Sequence, residues 1–234
     1  MEKVLNLLKH PLFITLIVLV IGAGGLYSLL KFVPDSNIES APYVERAKGN
    51  LTSTVVVTDW ADFQCPACQN YYANIEKTLF DKYQTQVKFV FRNYPLTSIH
   101  RNAQKAAEAA EAAGTQGKFW EYHDLLYERQ IAEAETWNNE KFIAYAKELG
   151  LDSDKFAKEL NSDYYRKAVK DSANEAVQDK GYSSTPTVDV NGVKIESPTL
   201  EKVEEEITKA LASVTPTPSM VVTATAAPTT EPTK

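Results

Sequence analysis

Apolar positions along the chain divide it into stretches of different period. Thr54-Val55-Val56-Val57-Thr58 is a β-branched run without alternation, which predicts a strand covered on both faces and central in its sheet. After Asp62-Phe63-Gln64 the period becomes helical, with Tyr72, Ile75, Leu79 and Tyr83 three or four residues apart, so Cys65 falls at a helix start. Val87 to Phe91, bounded by Asn93 and Pro95, returns to strand. Strand, helix, strand is the parallel crossover unit and predicts α/β architecture. From Asn102 to about Asp179 there is no strand signal. Ala103 to Ala113, Phe119 to Glu128, Glu140 to Leu149 and Asp154 to Asp179 are predicted as helices broken at Gly114, Gly117 and Gly150. Thr187 to Val190 and Val193 to Ile195 flank Asn191-Gly192, the signature of a tight hairpin, and a helix from about Thr199 to Ala212 follows.

The two ends have a different character. Pro11 to Leu30 carries no charged side chain and is long enough to cross a bilayer as a helix. Lys3, Lys9 and the amino terminus precede it against a single Glu2, so the positive-inside bias places residues 1–10 in the cytoplasm and everything after Lys31 outside. Ala23 and Gly25 also offer small residues at a spacing that a signal peptidase accepts, which makes a secreted form the alternative; both readings export the domain. Residues 31–50, with Pro34, Pro42, Gly49 and mixed charges, read as a linker, and residues 51–212 as the folded domain. Residues 213–234 are dominated by Thr, Pro and Ala and read as a disordered tail.

With 234 residues, 44% of them hydrophobic, the chain can bury a sizeable core. Its net charge of -6 and the absence of basic patches exclude a nucleic-acid partner, whose phosphates would repel such a surface. Both cysteines of the protein lie in Cys65-Pro66-Ala67-Cys68. Two thiols so spaced at a helix N-terminus can close a small disulfide ring, and the helix dipole with unpaired backbone N–H groups favours a thiolate at the first position. Pro66 at the helix start costs no hydrogen bond. Cys65 is then the exposed nucleophile and Cys68 the covered resolving thiol. Two blander readings compete. Half of a zinc site would need four ligands, and the three histidines include no metal-spaced pair, so no metal is expected. A purely structural disulfide would close a loop too short to remove much chain entropy.

The segment Val56-Val57-Thr58-Asp59-Trp60-Ala61-Asp62-Phe63-Gln64-Cys65-Pro66-Ala67-Cys68 resembles the active-site segment of DsbA-like oxidoreductases of the thioredoxin superfamily, especially their membrane-anchored or lipoprotein bacterial members. Phe91-Arg92-Asn93-Tyr94-Pro95-Leu96, His100, the Ala-rich helix and Gly117-Lys118-Phe119-Trp120-Glu121 with His123 resemble the same family's helical insert, and Ser184-Thr185-Pro186-Thr187 resembles its cis-proline loop. The resemblance implies a thioredoxin fold with a helical insertion at about 101–179, preceded by one transmembrane helix. It implies that Cys65 and Cys68 are the redox pair, that Pro186 faces them with a cis bond, and that the Thr185 backbone holds a substrate strand. It also makes Asp59 the buried acid beneath the site, a proton relay for Cys68. Strongly oxidising relatives often carry His where this chain has Ala67, which leaves the redox potential open.

The function so implied is disulfide formation in exported thiol-containing proteins, with no cofactor in the chain itself and reoxidation by a membrane redox partner, a quinone-linked oxidase being the family expectation. A thiol reductase or disulfide isomerase is the alternative within the same chemistry, and a non-catalytic peptide-binding module the rival outside it. His100 and His123 are expected to be structural, and Trp60, Trp120 and Trp137 to pack.

Overall fold

The computed structural model describes residues 40–214. The expected anchor, Pro11 to Leu30, and the tail beyond residue 214 lie outside them. Among the described residues no helix is long and apolar enough to cross a membrane.

Strands β1 (Arg46–Gly49), β2 (Val56–Ala61), β3 (Lys88–Asn93), β4 (Thr187–Val190) and β5 (Val193–Ile195) form one sheet of order β1-β3-β2-β4-β5. β2 and β3 run parallel and the other neighbours antiparallel. Helix α1 joins β2 to β3; it consists of Pro66–Tyr71 and Lys77–Tyr83 with a π-helical turn, Tyr72–Glu76, between them. Five helices follow β3: α2 (Ala103–Gly114), α3 (Phe119–Glu133), α4 (Asn139–Glu148), α5 (Ser153–Asn161) and α6 (Arg166–Asn174), the last extended by a π turn, Glu175–Asp179. The β4–β5 hairpin turns on Asn191 and Gly192, both with positive φ (49° and 81°), and α7 (Leu200–Ser213) closes the fold with Thr199 as its N-cap.

Side chains alternate across β2, so Val57, Asp59 and Ala61 share one face while Trp60 points to the other. Val57 joins Leu79, Phe89, Val188, Val203 and Ile207 in a core between the sheet, α1 and α7. A second core brings Ala61, Phe63 and Phe91 from the strand ends against Tyr122, Leu126, Tyr127, Phe142 and Phe156 of the inserted helices. Each of these buried aromatic side chains contributes about 1.5–3 kcal/mol by leaving water. Cys65 and Cys68 belong to this second core, at the seam between sheet and insertion.

Three expectations need correction. Arg46–Gly49, assigned by composition to the linker, is an edge strand paired with β3, and Ala41 before it is buried with its N–H donated to Tyr164 O at 3.0 Å. An edge strand needs no apolar alternation, and here Arg46 and Lys48 pack on the insertion through their stems and charges. The helix predicted over Asp154 to Asp179 is interrupted after Asn161, where Asp163 turns to φ 56°, a conformation Asp tolerates, and ion-pairs with Lys105 and Arg166. The second face of β2 is only partly covered, at Val56 and Thr58.

Candidate functional site

The end of β2 delivers Asp62-Phe63-Gln64 into a tight turn, in which Cys65 N–H donates to Asp62 O at 3.1 Å, and Cys65 becomes the N-cap of α1 with Pro66 in the first turn. Asp62 is the internal brace of that turn. Its Oδ1 accepts from Gln64 N–H at 2.7 Å, its Oδ2 accepts from Leu96 N–H at 2.8 Å, and His100 Nδ1 lies 2.8 Å from the same oxygen. From the insertion, Gln130 Nε2 donates to Cys65 O at 2.7 Å and Phe63 O at 3.1 Å. Gln64 Nε2 in turn donates to Ala134 O, and its Oε1 accepts from Asn102 N–H. The redox loop is therefore held from both sides.

Cys65 retains 7% of its accessible surface and Cys68 1%, so the first thiol is the more accessible although it is far from open. Pro66 and Ala67 are exposed beside it. The Thr185–Pro186 peptide bond is cis, and Cys65 Sγ, as a thiol, donates to Thr185 O at 3.6 Å. Thr185 Oγ1 is buried with no hydrogen-bond partner among the described residues, which leaves its hydroxyl able to turn to a Cys65 thiolate instead. The hydrogen bond from the Cys68 thiol is the leading cause that lowers the Cys65 pKa from 9.0 to about 5; burial opposes it, and the Thr185 side chain and the backbone N–H groups of Cys68 and Ala67 assist. Cys68 goes the other way. Burial first, then its hydrogen bond to Cys65 and the charges of Cys65 and Asp59, hold it well above 9.0, against a backbone N–H of Asp62 at 3.5 Å.

Asp59 stands opposite Phe91 and Val188 in the sheet, buried, with Oδ1 lacking a partner among the described residues. Burial, then the charge of Glu76, pushes its carboxyl well above the usual range, while Lys48 acts in the opposite sense. Among the described residues no group of three or more His, Cys, Asp or Glu side chains is placed to hold a metal ion.

A family model described as Thioredoxin matches residues 43–209. The chain belongs to the thioredoxin family. Among solved structures, oxidised BdbD from Bacillus subtilis shares the fold of this thioredoxin-family chain with a TM-score of 0.65 at 22% identity, covering 74% of this chain and 97% of that one. Among curated sequences it is 29% identical over 204 residues to "Probable disulfide bond formation protein D" of Bacillus cereus, spanning 83% of this chain and 92% of that protein. It is also 35% identical over 198 residues to "Na(+)/H(+) antiporter NhaA 3" of Salinispora tropica, of whose length it spans 28%. The fold is the mixed α/β thioredoxin fold with helical insertions.

Four residues of this thioredoxin-family site escape sequence reasoning: Asp62, Gln64, Gln130 and Glu76. Gln130 and Glu76 each left a signal, as polar residues on the apolar stripes Phe119, Tyr122, Leu126 of α3 and Tyr72, Leu79, Tyr83 of α1. Glu76 ends the π turn of α1 and is buried there.

Proposed function

We propose that the chain is an extracytoplasmic protein thiol-disulfide oxidoreductase working through Cys65 and Cys68. The opposed ionisation of the two thiols carries this reading: one sulfur is a thiolate at neutral pH and partly accessible, the other protonated and covered. A substrate thiolate attacks Cys65 Sγ of the enzyme disulfide, the Cys65–Cys68 bond breaks, and Cys68 leaves as a thiolate that takes a proton from Asp59. A second substrate thiolate then attacks the mixed disulfide and Cys65 departs as its stable thiolate. The substrate is oxidised to a disulfide and the enzyme is reduced. The backbone at Thr185, beside the Pro186 bond, holds the substrate strand, and a membrane redox partner restores the enzyme disulfide.

The low Cys65 pKa favours the oxidant, since a stabilised thiolate stabilises the reduced enzyme. Ala67 supplies no side-chain charge to that thiolate, and this favours the second reading, an exported reductase or isomerase. Equilibration with a glutathione redox series separates the two. A potential near that of the disulfide isomerases, about -180 mV, or higher supports shuffling or oxidation, and one near about -270 mV supports reduction. A Cys65→Ser variant that still binds peptides as tightly, in an enzyme whose wild type shows no exchange, would leave only the peptide-binding module.

The domain is exported and tethered through Pro11 to Leu30, with residues 1–10 in the cytoplasm, or is released by cleavage in that segment. Protease added to spheroplasts should digest it while a cytoplasmic control survives. Protection of both would remove the exported location.

A further inference from the structure

Behind the redox pair Asp59 Oδ1, Glu76 Oε2 and His123 Nε2 are buried polar atoms without partners among the described residues. Asp59 and Glu76 line the same small cavity with Tyr71, Phe91 and Trp120; it offers about 10 Å³ to the centre of a water molecule, the least that holds one. Beyond it, Lys48 Nζ donates to Glu76 Oε1 at 2.9 Å, His123 Nε2 stands 3.9 Å from Glu76 Oε2, and His123 Nδ1 is 2.8 Å from Asp124 Oδ1. Lys48 and Asp124 open onto a surface cleft of about 450 Å³, also lined by Tyr72, Lys77 and Trp120. His123 is fully buried in a box of aromatic rings, among them Phe63, Phe91, Trp120 and Tyr127 at 4.9–5.6 Å between centroids. A glutamate and a histidine would be costly here if they served packing alone.

We infer that Glu76 is a positioning residue that completes a proton path from Asp59 through one water to His123 and Asp124, and so to the surface cleft. The inference rests on the oxidoreductase reading above and deepens it. When a Cys68 thiolate attacks Cys65 Sγ of a mixed disulfide, the Cys65–Cys68 bond forms, the bond from Cys65 to the substrate breaks, and the substrate leaves as a thiolate. The proton Cys68 gave up passes to Asp59, and Asp59 must shed it before the next turnover. In the opposite direction the same path returns a proton to Cys68. Glu76 is faced by Asp59 from β2, Lys48 from β1, His123 and Tyr127 from α3, and Tyr71 and Tyr72 from its own helix. Lys48 fixes one of its oxygens and leaves the other aimed at His123.

The test is release of a peptide from a preformed Cys65 mixed disulfide, followed by stopped flow from pH 5 to 9. Glu76→Gln keeps the shape and a contact for Lys48. It should slow release about tenfold or more near pH 7 and make the rate rise in proportion to hydroxide, while the pH midpoint of Cys65 alkylation and the urea midpoint stay at wild-type values. In His123→Gly, added imidazole should restore the lost rate. Should Glu76→Gln not fold, Lys48→Met on the edge strand should slow release in the same sense. An unchanged rate and pH profile in a folded Glu76→Gln or Lys48→Met protein would overturn the path, as would slowing matched by an equal loss of Cys65 thiolate. Failure of imidazole in a folded His123→Gly protein would overturn the exit through His123. If the wild type itself forms no mixed disulfide, the oxidoreductase reading fails, and that outcome is distinct from wild-type exchange with an indifferent Glu76→Gln.

Discussion

Cys65 and Cys68 carry the same side chain three residues apart, yet hydrogen bonding and burial drive their ionisation in opposite directions. Alkylation of the reduced protein should therefore follow a single thiolate with a midpoint near 5, assigned by mass spectrometry to Cys65, and Cys68 should stay unmodified up to pH 9. Thr185→Val removes the hydroxyl that can turn to the thiolate and should raise that midpoint by about one unit, the worth of a hydrogen bond to a charge. An unmoved midpoint would leave the Thr185 backbone alone in the site. Asp59 obeys the reverse rule. Its folded pKa lies above the unfolded value, so its stabilising contribution is present below the unfolded pKa and is lost as pH rises through the folded one. Near neutral pH the buried carboxylate is a cost, and Asp59→Asn should stabilise the protein by about 1–3 kcal/mol in urea unfolding. The same substitution should slow attack by Cys68 and leave Cys65 alkylation little changed. Equal or lower stability together with an unchanged rate would make Asp59 an ordinary strand acid.

At the scale of elements, β1 and α2 are joined by a buried ion pair. Arg46 Nε and Nη2 donate to Glu111 Oε2 at 2.8 and 2.6 Å, and Asn93 Nδ2 donates to Glu111 Oε1 at 2.8 Å. Burial still raises the Glu111 pKa against these partners, so the pair is needed mainly because each half would be stranded without the other. Glu111→Ala should cost about 3–5 kcal/mol in urea unfolding. A loss below about 1 kcal/mol would mean that Arg46 finds water at the sheet edge. This contact also explains Gly114, since a Cβ there would meet Arg46 Cζ at 2.5 Å. None of it was legible in the sequence, because a four-residue edge strand of Arg, Ala, Lys and Gly has no periodicity to read. What was legible rests on local chemistry: Asn191-Gly192 accepts the positive φ of a tight hairpin, Thr199 caps α7, and the β-branched run Val55 to Val57 marks the strand before the redox turn. Asp59 could be singled out only through the family resemblance of the segment before Cys65. Glu76 stands on the apolar stripe of α1, four residues after Tyr72 and three before Leu79, but the partners it meets there, Lys48 and His123, come from distant elements that its own spacing does not announce.

For the molecule as a whole, the redox pair sits in a core shared by the strand ends and the inserted helices, so its chemistry is coupled to global stability. The thiolate of Cys65 exists only in the reduced protein. Its folded pKa of about 5 lies below the ordinary 9.0, so it contributes stability that is complete above the unfolded value and disappears as pH falls through the folded one. Cys68, raised well above 9.0, does not titrate in that window. Asp59 loses stability as pH rises in both redox forms, and its effect largely cancels in their difference. The stability of the reduced form relative to the oxidised form should therefore grow steadily from pH 5 to 9, in a single cooperative unfolding transition. A disulfide opposes this by restricting the unfolded chain, but a ring closed over two intervening residues restricts it little. The reduced form should accordingly be the more stable of the two at pH 7, and by the thermodynamic cycle such a disulfide is an oxidant. Parallel urea titrations of the reduced and oxidised protein at several pH values decide the matter. If the oxidised form is the more stable at pH 7, the working direction is reduction, and the absence of a charged side chain at Ala67 has outweighed the hydrogen bonds to Cys65.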